Sequence, residues 1–243
     1  MRKIEKILIH QKTGKKFFVK DCKEEFHTHC GIIASNDIGL GKDIVESSKK
    51  EKFLVLEPTF ADLWDNLLRG PQVMIHKDVG MILAKTGVNK TFKVVDAGGG
   101  SGSLCFSLAN VCKEITVYEV NPEHYNILTK NKELLGLKNV ALKQENIYDG
   151  IEEKDVDLIT LDLPEPWKVL MYAEKILVNG GWLVIYLPNL TQVKQFIDSV
   201  TGRINVVEIL ELIERKWKIE EKIMRPEFEM LGHTGFLVFC RKQ

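Results

Sequence analysis

Nowhere does this 243-residue sequence stay apolar for the 20 or so residues a helix needs to cross a bilayer, so no membrane-spanning helix is expected. Its first residues, Met1-Arg2-Lys3-Ile4-Glu5-Lys6, lack the apolar stretch and small-residue cleavage site of a secretory signal, and a cytoplasmic protein is expected. Cysteine is scarce. Cys22, Cys30, Cys105, Cys112 and Cys240 make an odd number with no C-x-x-C pair, which argues against a disulfide framework and for buried thiols. Cys22, His27, His29 and Cys30 match no usual zinc spacing, so no metal is expected. There is no surplus of charge either: 34 basic residues balance 34 acidic ones, and only local lysines, such as Lys12, Lys15, Lys16, Lys20 and Lys23 or Lys49, Lys50 and Lys52, could attract a polyanion. Gly-Lys-Ser/Thr is absent, which removes the P-loop.

What is present divides in two. Short β-prone runs punctuated by turns fill the first part: Ile7 to His10, Phe17 to Val19, Gly31 to Ile33, Ile38 to Gly41 and Phe53 to Leu56. They predict a small all-β domain over residues 1–65, with the boundary somewhere in 57–76. From about Lys77 strands alternate with longer amphipathic segments, the pattern of βαβ units, and residues 66–243 are read as a doubly wound α/β domain. Strands are expected at 92–97, 115–120, 140–144, 156–163 and 181–187. Helices are expected at 103–111, 121–136, 167–177 and 191–200. A long segment 204–219 and a final run 234–240 would then close the sheet.

The first strand leads into Asp96-Ala97-Gly98-Gly99-Gly100-Ser101-Gly102, an acid followed by alternating glycines, between a β-rich run and a helix. Such a loop lets the backbone approach a ligand where side chains would clash. The nicotinamide fingerprint requires a third glycine where Ser103 stands, so hydride transfer is disfavoured. Glu119, 17 positions beyond Gly102 at the end of the next strand, is suited to accept hydrogen bonds from both hydroxyls of a ribose. A nucleoside cofactor follows. The fourth strand ends at Asp162, where doubly wound sheets place their ligand crevice, in a loop stiffened by Pro164 and Pro166 beside Trp167.

Several further segments narrow the reading. His27-Thr28-His29-Cys30-Gly31, Arg69-Gly70-Pro71-Gln72 followed by Lys77-Asp78, the glycine loop, Asp162 to Leu170, Tyr186 to Val193, and Gly232-His233-Thr234-Gly235 together resemble the tRNA adenine-N1 methyltransferases of the T loop. The glycine loop is common to most methyltransferases of this fold, whereas the Pro-Trp loop and Gly-His-Thr-Gly are nearly diagnostic. The resemblance implies a class I (Rossmann-like) methyltransferase sheet behind a small β domain that serves tRNA binding or oligomerisation. It implies S-adenosylmethionine as cofactor, tRNA as partner and a homotetramer. The implied product is 1-methyladenosine at position 58, with position 57 an added target in archaeal relatives.

On that reading the catalytic residues are Asp162 and Tyr186. The cofactor contacts are Asp96, Gly98, Gly100, Ser101, Gly102, Ser103, Leu104, Glu119, Asn146 and Asp162, and the substrate contacts His76, Lys77, Asp78, Pro164, Trp167 and His233. A carboxylate at Asp162 accepting from the exocyclic N6 would orient the adenine and stabilise the charge that N1 gains on methylation. Because N1 lies on the pairing edge, the base must leave its pairing and enter a pocket. Two positions depart from the family: Ile75-His76 stands where Tyr-Pro is usual, removing an aromatic ring near the target base, and Asn146 replaces an acid against the cofactor adenine, where an amide can still hydrogen-bond. Two rivals remain. A methyltransferase acting on a small molecule or protein would need neither the β domain nor Gly-His-Thr-Gly, and a non-catalytic tRNA-binding subunit would have lost the glycine loop or Asp162.

Overall fold

A computed structural model describes residues 4–39, 41–70, 73–220 and 223–243. Pro71 and Gln72 of the Arg69-Gly70-Pro71-Gln72 motif, together with Met1 to Lys3 and Leu40, lie outside the described residues. The chain divides into two compact units, 1–68 with 130–136, and 69–129 with 137–243.

The first unit holds β1 (Lys6–His10), β2 (Lys16–Val19), β3 (Phe26–Thr28), β4 (Gly31–Ile33), β5 (Ile44–Glu46) and β6 (Lys52–Leu56). Four of these form an antiparallel sheet in the order β2-β1-β6-β5, and β3 and β4 make a separate hairpin. Leu8, Val19, Ile33, Ile38, Val45 and Phe53 are its buried core, contributed by strands and by a short helix α1 (Ser35–Gly39). A second short helix, α2 (Phe60–Asp65), opens with a capping box in which the Thr59 side chain accepts from the Asp62 N–H and the Asp62 carboxylate accepts from the Thr59 N–H. Helix α1 corrects the β-prone run expected at Ile38 to Gly41, since Ile38 and Gly39 lie in it, and α2 was not foreseen; at five and six residues each is too short to show a helical period.

The second unit contains α3 (His76–Thr86), β7 (Lys93–Ala97), α4 (Ser103–Ala109), β8 (Glu114–Tyr118), the first part of α5 (Pro122–Leu135), whose residues from Lys130 on are counted with the first unit, β9 (Val140–Lys143), β10 (Val156–Leu161), α6 (Leu170–Ile176), β11 (Leu177–Leu187), α7 (Leu190–Ser199), β12 (Ile204–Glu211), β13 (Trp217–Glu220), β14 (Ile223–Pro226) and β15 (Phe236–Lys242). Seven strands form one sheet in the order β12-β15-β11-β10-β7-β8-β9. The pairs from β11 through β9 are parallel, while β15 runs antiparallel to both β11 and β12. Buried on both faces, β10 reads Leu158-Ile159-Thr160-Leu161 without alternation, as expected of an interior parallel strand. Helix α5 follows its sequence signals closely: the Asn121 side chain accepts from the Glu123 N–H, Pro122 takes the first turn, and Gly136 closes the helix in the left-handed region.

The doubly wound class I sheet is as the sequence predicts, with one correction. Residues 204–219 are not a single closing strand. Strand β12 ends at Glu211 opposite Phe236, where β15 begins, so the sheet offers nothing further to pair with. The chain leaves it, and β13 pairs with β14 in a separate two-stranded ribbon.

Candidate functional site

Connections from β7 lead to β8 and β9 on one side, and β10 lies against its other side, so a crevice opens where the strand order reverses, at the carboxyl ends of β7 and β10. Both strands finish in an acid or a glycine turn at that edge. The Asp162 N–H donates to the Ala97 carbonyl at 2.9 Å, which carries the pairing of the two strands one residue past their ends. Gly98 follows with φ +83, and a β-carbon there would lie 2.1 Å from the Asp162 carbonyl oxygen. Only glycine fits. The recess between them is lined by Val73, Met74, Asp96, Gly98, Gly99, Gly100, Ser101, Ser103, Leu104 and Asp162.

Three carboxylates belong to this place, and each is held differently. Glu119 is almost wholly buried; its Oε2 accepts from the Gly100 N–H and its Oε1 from the Asn121 N–H, both at 2.8 Å. It thereby ties the glycine loop to the start of α5. Asp96, only 2% exposed, accepts from the Thr160 hydroxyl on the neighbouring strand. Burial raises its pKa to about 7 against that hydrogen bond, and the charges of Asp162 and Glu119 add to the rise. Asp162 is reached by solvent yet crowded by protein at the floor of the recess; this crowding, with the charge of Glu119, raises its pKa to about 6. Two of the three acids, Asp96 and Asp162, line the recess, with Glu119 behind the glycine loop, and no basic side chain lines it, so its charge suits a cation.

Lys77 and Asp78 lie deeper than a ligand-contacting role requires. Asp78 is fully buried at the start of α3; its Oδ1 receives Lys77 Nζ at 2.8 Å and its Oδ2 the Thr234 hydroxyl at 2.9 Å. Lys77, with its side chain 9% exposed, also donates to the Thr234 oxygen at 2.6 Å. Burial raises the Tyr186 phenol to about 12, Thr234 opposing the rise and the charges of Asp78 and Asp162 adding to it. Gly235 lies against the same ring, and a β-carbon on it would come within 2.6 Å of Tyr186 Cζ. His233 is pinned at both nitrogens, Nε2 donating to the Pro188 carbonyl at 2.8 Å and Nδ1 to Glu211 at 2.6 Å, and these partners raise its pKa.

The other residues named from the sequence are spread around this centre. His76 is exposed at the first turn of α3. Trp167, half-buried in the turn of 3-10 helix at Pro166–Val169, packs on the core of the sheet, and the Pro164 carbonyl accepts from the Gln192 side chain. Ser103 begins α4, all seven residues of which are buried. Asn146 lines a different, open recess with Asp149, Gly150, Tyr172, Lys175 and Ile176, and its oxygen accepts from the Tyr148 N–H. Val73, Met74 and Thr160 were not singled out from the sequence, nor was the role of Thr234. The two apolar residues sit just before α3, and nothing but their place in a motif could have flagged them. Among the described residues no group of three or more His, Cys, Asp or Glu is arranged to hold a metal ion, and no helix is long and apolar enough to cross a membrane.

Residues 52–224 match the family model described as tRNA methyltransferase complex GCD14 subunit. The chain is 33% identical to the tRNA (adenine(57)-N(1)/adenine(58)-N(1))-methyltransferase TrmI of Methanocaldococcus jannaschii, over 97% of this chain and 94% of the relative. Among solved structures it resembles the tRNA (m1A58) methyltransferase TrmI of Aquifex aeolicus, with a TM-score of 0.80 and 26% identity over 100% of this chain and 98% of that one. A SAM-dependent O-methyltransferase of Thermotoga maritima gives a TM-score of 0.84 and 28% identity, covering 100% of this chain and 94% of that one.

Proposed function

The chain belongs to the family of tRNA methyltransferase complex GCD14 subunits, and from that premise we propose that it methylates N1 of adenosine 58 in the T loop of tRNA. The observation that carries this reading is the junction of Asp162 with the glycine loop: the second strand of the crevice delivers a carboxylate directly beside a cradle that admits no side chain at Gly98. The resemblance to an O-methyltransferase shares the sheet and says nothing of the acceptor, since fold and substrate vary independently.

We propose S-adenosylmethionine as the methyl donor, and the residues present fit it. Glu119 lies where an acid can accept from ribose hydroxyls, Asp96 and Asp162 offer negative charge to a sulfonium, and the backbone at Gly98 to Ser101 can be approached closely. Bound there, the cofactor supplies an electrophilic methyl group. The chain's own part is then to hold the base. Asp162, as the carboxylate, accepts a hydrogen bond from the adenine N6 amino group, leaving N1 directed at the methyl. With the methyl passed to N1 and its bond to sulfur broken, a neutral thioether would leave and the ring would be cationic, and the fixed negative charge of Asp162 would stabilise that ring more than the neutral one. Tyr186 bounds the base on the side of the Gly-His-Thr-Gly loop. His76, Pro164 and Trp167 are proposed to contact the substrate, and the Asn146 amide to face the cofactor adenine.

Adenosine 57 is proposed as a second target, by analogy with the two positions in the name of the M. jannaschii relative. A homotetramer acting in the cytoplasm is the proposed working form. The ribbon supports self-association: Trp217, Ile219 and Met224 share one face and are 53%, 72% and 74% exposed. The decisive experiment is transfer of labelled methyl from S-adenosylmethionine to an unmodified tRNA transcript with nucleoside analysis, wild type beside Asp162→Ala. We expect 1-methyladenosine with the wild type and its near-complete loss in the variant. A wild type that binds the cofactor but leaves tRNA unmethylated would return the small-molecule and binding-subunit readings.

A further inference from the structure

Strand β10 ends at Leu161, and the sheet holds the chain only one residue further, through the bond from the Asp162 N–H to the Ala97 carbonyl. Residues 162–165 then run to the turn at Pro166–Val169 without strand or helix. Burial alternates along them: Asp162 and Pro164 are exposed, while Leu163 packs on the core of the sheet and Pro166 is buried. Neither proline has an N–H to offer, so the segment takes its backbone partners from side chains elsewhere. One comes from the chain after β11 and one from the chain after β9, strands on opposite sides of β10 in the sheet.

Gln192 Nε2 donates to the Pro164 carbonyl at 3.2 Å. Its amide is held in that sense, because Oε1 accepts from Asn189 Nδ2 at 2.7 Å and a carbonyl can only accept. Asn189 Oδ1 in turn accepts from the Gln192 N–H at 2.9 Å, so the two side chains close a ring at the start of α7. On the other side the Tyr148 hydroxyl accepts from the Glu165 N–H at 3.2 Å, and the Asn146 oxygen accepts from the Tyr148 N–H at 3.1 Å. The two brackets share one construction. In each an asparagine caps a turn, and a residue of that turn reaches the backbone of the loop.

We propose that Gln192 is a positioning residue for the methyl transfer, holding the Asp162–Pro166 loop from one side while Tyr148 holds it from the other, so that the Asp162 carboxylate stands at a fixed place beside the recess. This rests on the methyltransferase reading above. Ala97 fixes only the amide of Asp162; the two brackets fix the chain beyond it and remove the freedom left between. Neither bracketing side chain lines the recess itself, so each acts through the loop. A rigid mount matters there, since a displacement of about 1 Å at a reacting centre can cost on the order of a hundredfold in rate.

The test is a double-mutant cycle in the tRNA methylation assay between Gln192→Met and Asp162→Ala, each variant first checked for melting temperature and for affinity toward S-adenosylhomocysteine by calorimetry. Gln192→Met keeps the length of the side chain and lacks the donor. It is expected to lower kcat about tenfold, with KM for tRNA and affinity for S-adenosylhomocysteine near those of the wild type. In the Asp162→Ala background the same change costs nothing further. Gln192→Glu keeps an acceptor for Asn189 but sets an oxygen against the Pro164 carbonyl, so its kcat falls at least as far. Tyr148→Phe, which loses only the hydroxyl, behaves as Gln192→Met does. Wild-type kcat in any of these three variants, additive losses in the cycle, or a change confined to KM overturns the proposal and leaves the functional reading intact. A wild type that forms no 1-methyladenosine overturns both. Should Gln192→Met fold poorly, Tyr148→Phe decides in its place: it must lower kcat with Asp162 present and cost nothing in the Asp162→Ala background, and equal losses in both overturn the proposal.

Discussion

Asp162 changes its charge near pH 6, and on the reading above its function depends on that charge. Its pKa is raised, so the carboxylate is the form lost as pH falls; below about 6 it is protonated, can no longer accept from N6, and kcat/KM for tRNA should decline. A pH–rate profile flat down to pH 5 would rule this out. Asp162→Ala is expected to reduce kcat on the order of a hundredfold or more, the usual scale for removing a preorganised electrostatic partner. Asp96 carries the opposite lesson, because it is buried and its raised pKa of about 7 is a cost. The folded state binds its proton more tightly than the unfolded chain, so stability is lost as pH rises from the ordinary carboxylate range through about 7. Asp96→Asn should flatten that part of the pH dependence of the melting temperature; an unchanged slope between pH 5 and 8 would refute it. Asp162 and Glu119 were legible in the sequence because each ends a strand next to a recognisable loop. Thr234 and Thr160 were not, since a hydroxyl's role is set by partners 156 and 64 positions away, which no local pattern reveals.

Elements with strong local signals were the readable ones. Helix α5 has its asparagine, proline and glycine in the places that capping requires, and β7, β8 and β10 are apolar runs bounded by turns, so their positions follow from local chemistry. The end of β12 does not, because it is decided by where β15 begins rather than by any residue in β12 itself. The short helix α2 escaped notice, although the Thr59 and Asp62 that cap it are three residues apart and form a recognisable box. That cap is expected to matter. Asp62 is held down to about 2 by hydrogen bonds from Thr59 and Lys16, so its stabilising contribution is present at neutral pH and fades as pH falls below the ordinary aspartate range. Thr59→Ala should lower stability by about 1 kcal/mol in denaturant titrations at neutral pH. At the glycine loop the expectation is harsher: Gly98→Ala must accommodate a left-handed backbone and a clash with the Asp162 carbonyl, and calorimetry should find cofactor binding abolished.

For the whole molecule, the charge balance of 34 against 34 leaves no net attraction for a polyanion, and tRNA affinity must come from lysines collected into local patches. Assembly would concentrate such patches, and the apolar face of the ribbon is where we expect copies to meet. Trp217→Glu with Met224→Glu should shift the sedimentation coefficient toward that of a smaller species without changing the circular dichroism; a wild type that sediments as a monomer at all concentrations would dispose of the homotetramer. The order of the sheet has a separate consequence in time. Strand β15 is inserted between β11 and β12, although both of those precede it in the chain. A ribosome that has delivered residues through Glu211 has therefore made β12 but cannot yet seat it, because β15, its one sheet neighbour among the described residues, has not been synthesised. For that interval the nascent chain carries an open edge along β11 and an unpaired β12, the state most exposed to aggregation and to chaperone capture, and the pace of translation from Glu211 to Lys242 sets how long it lasts.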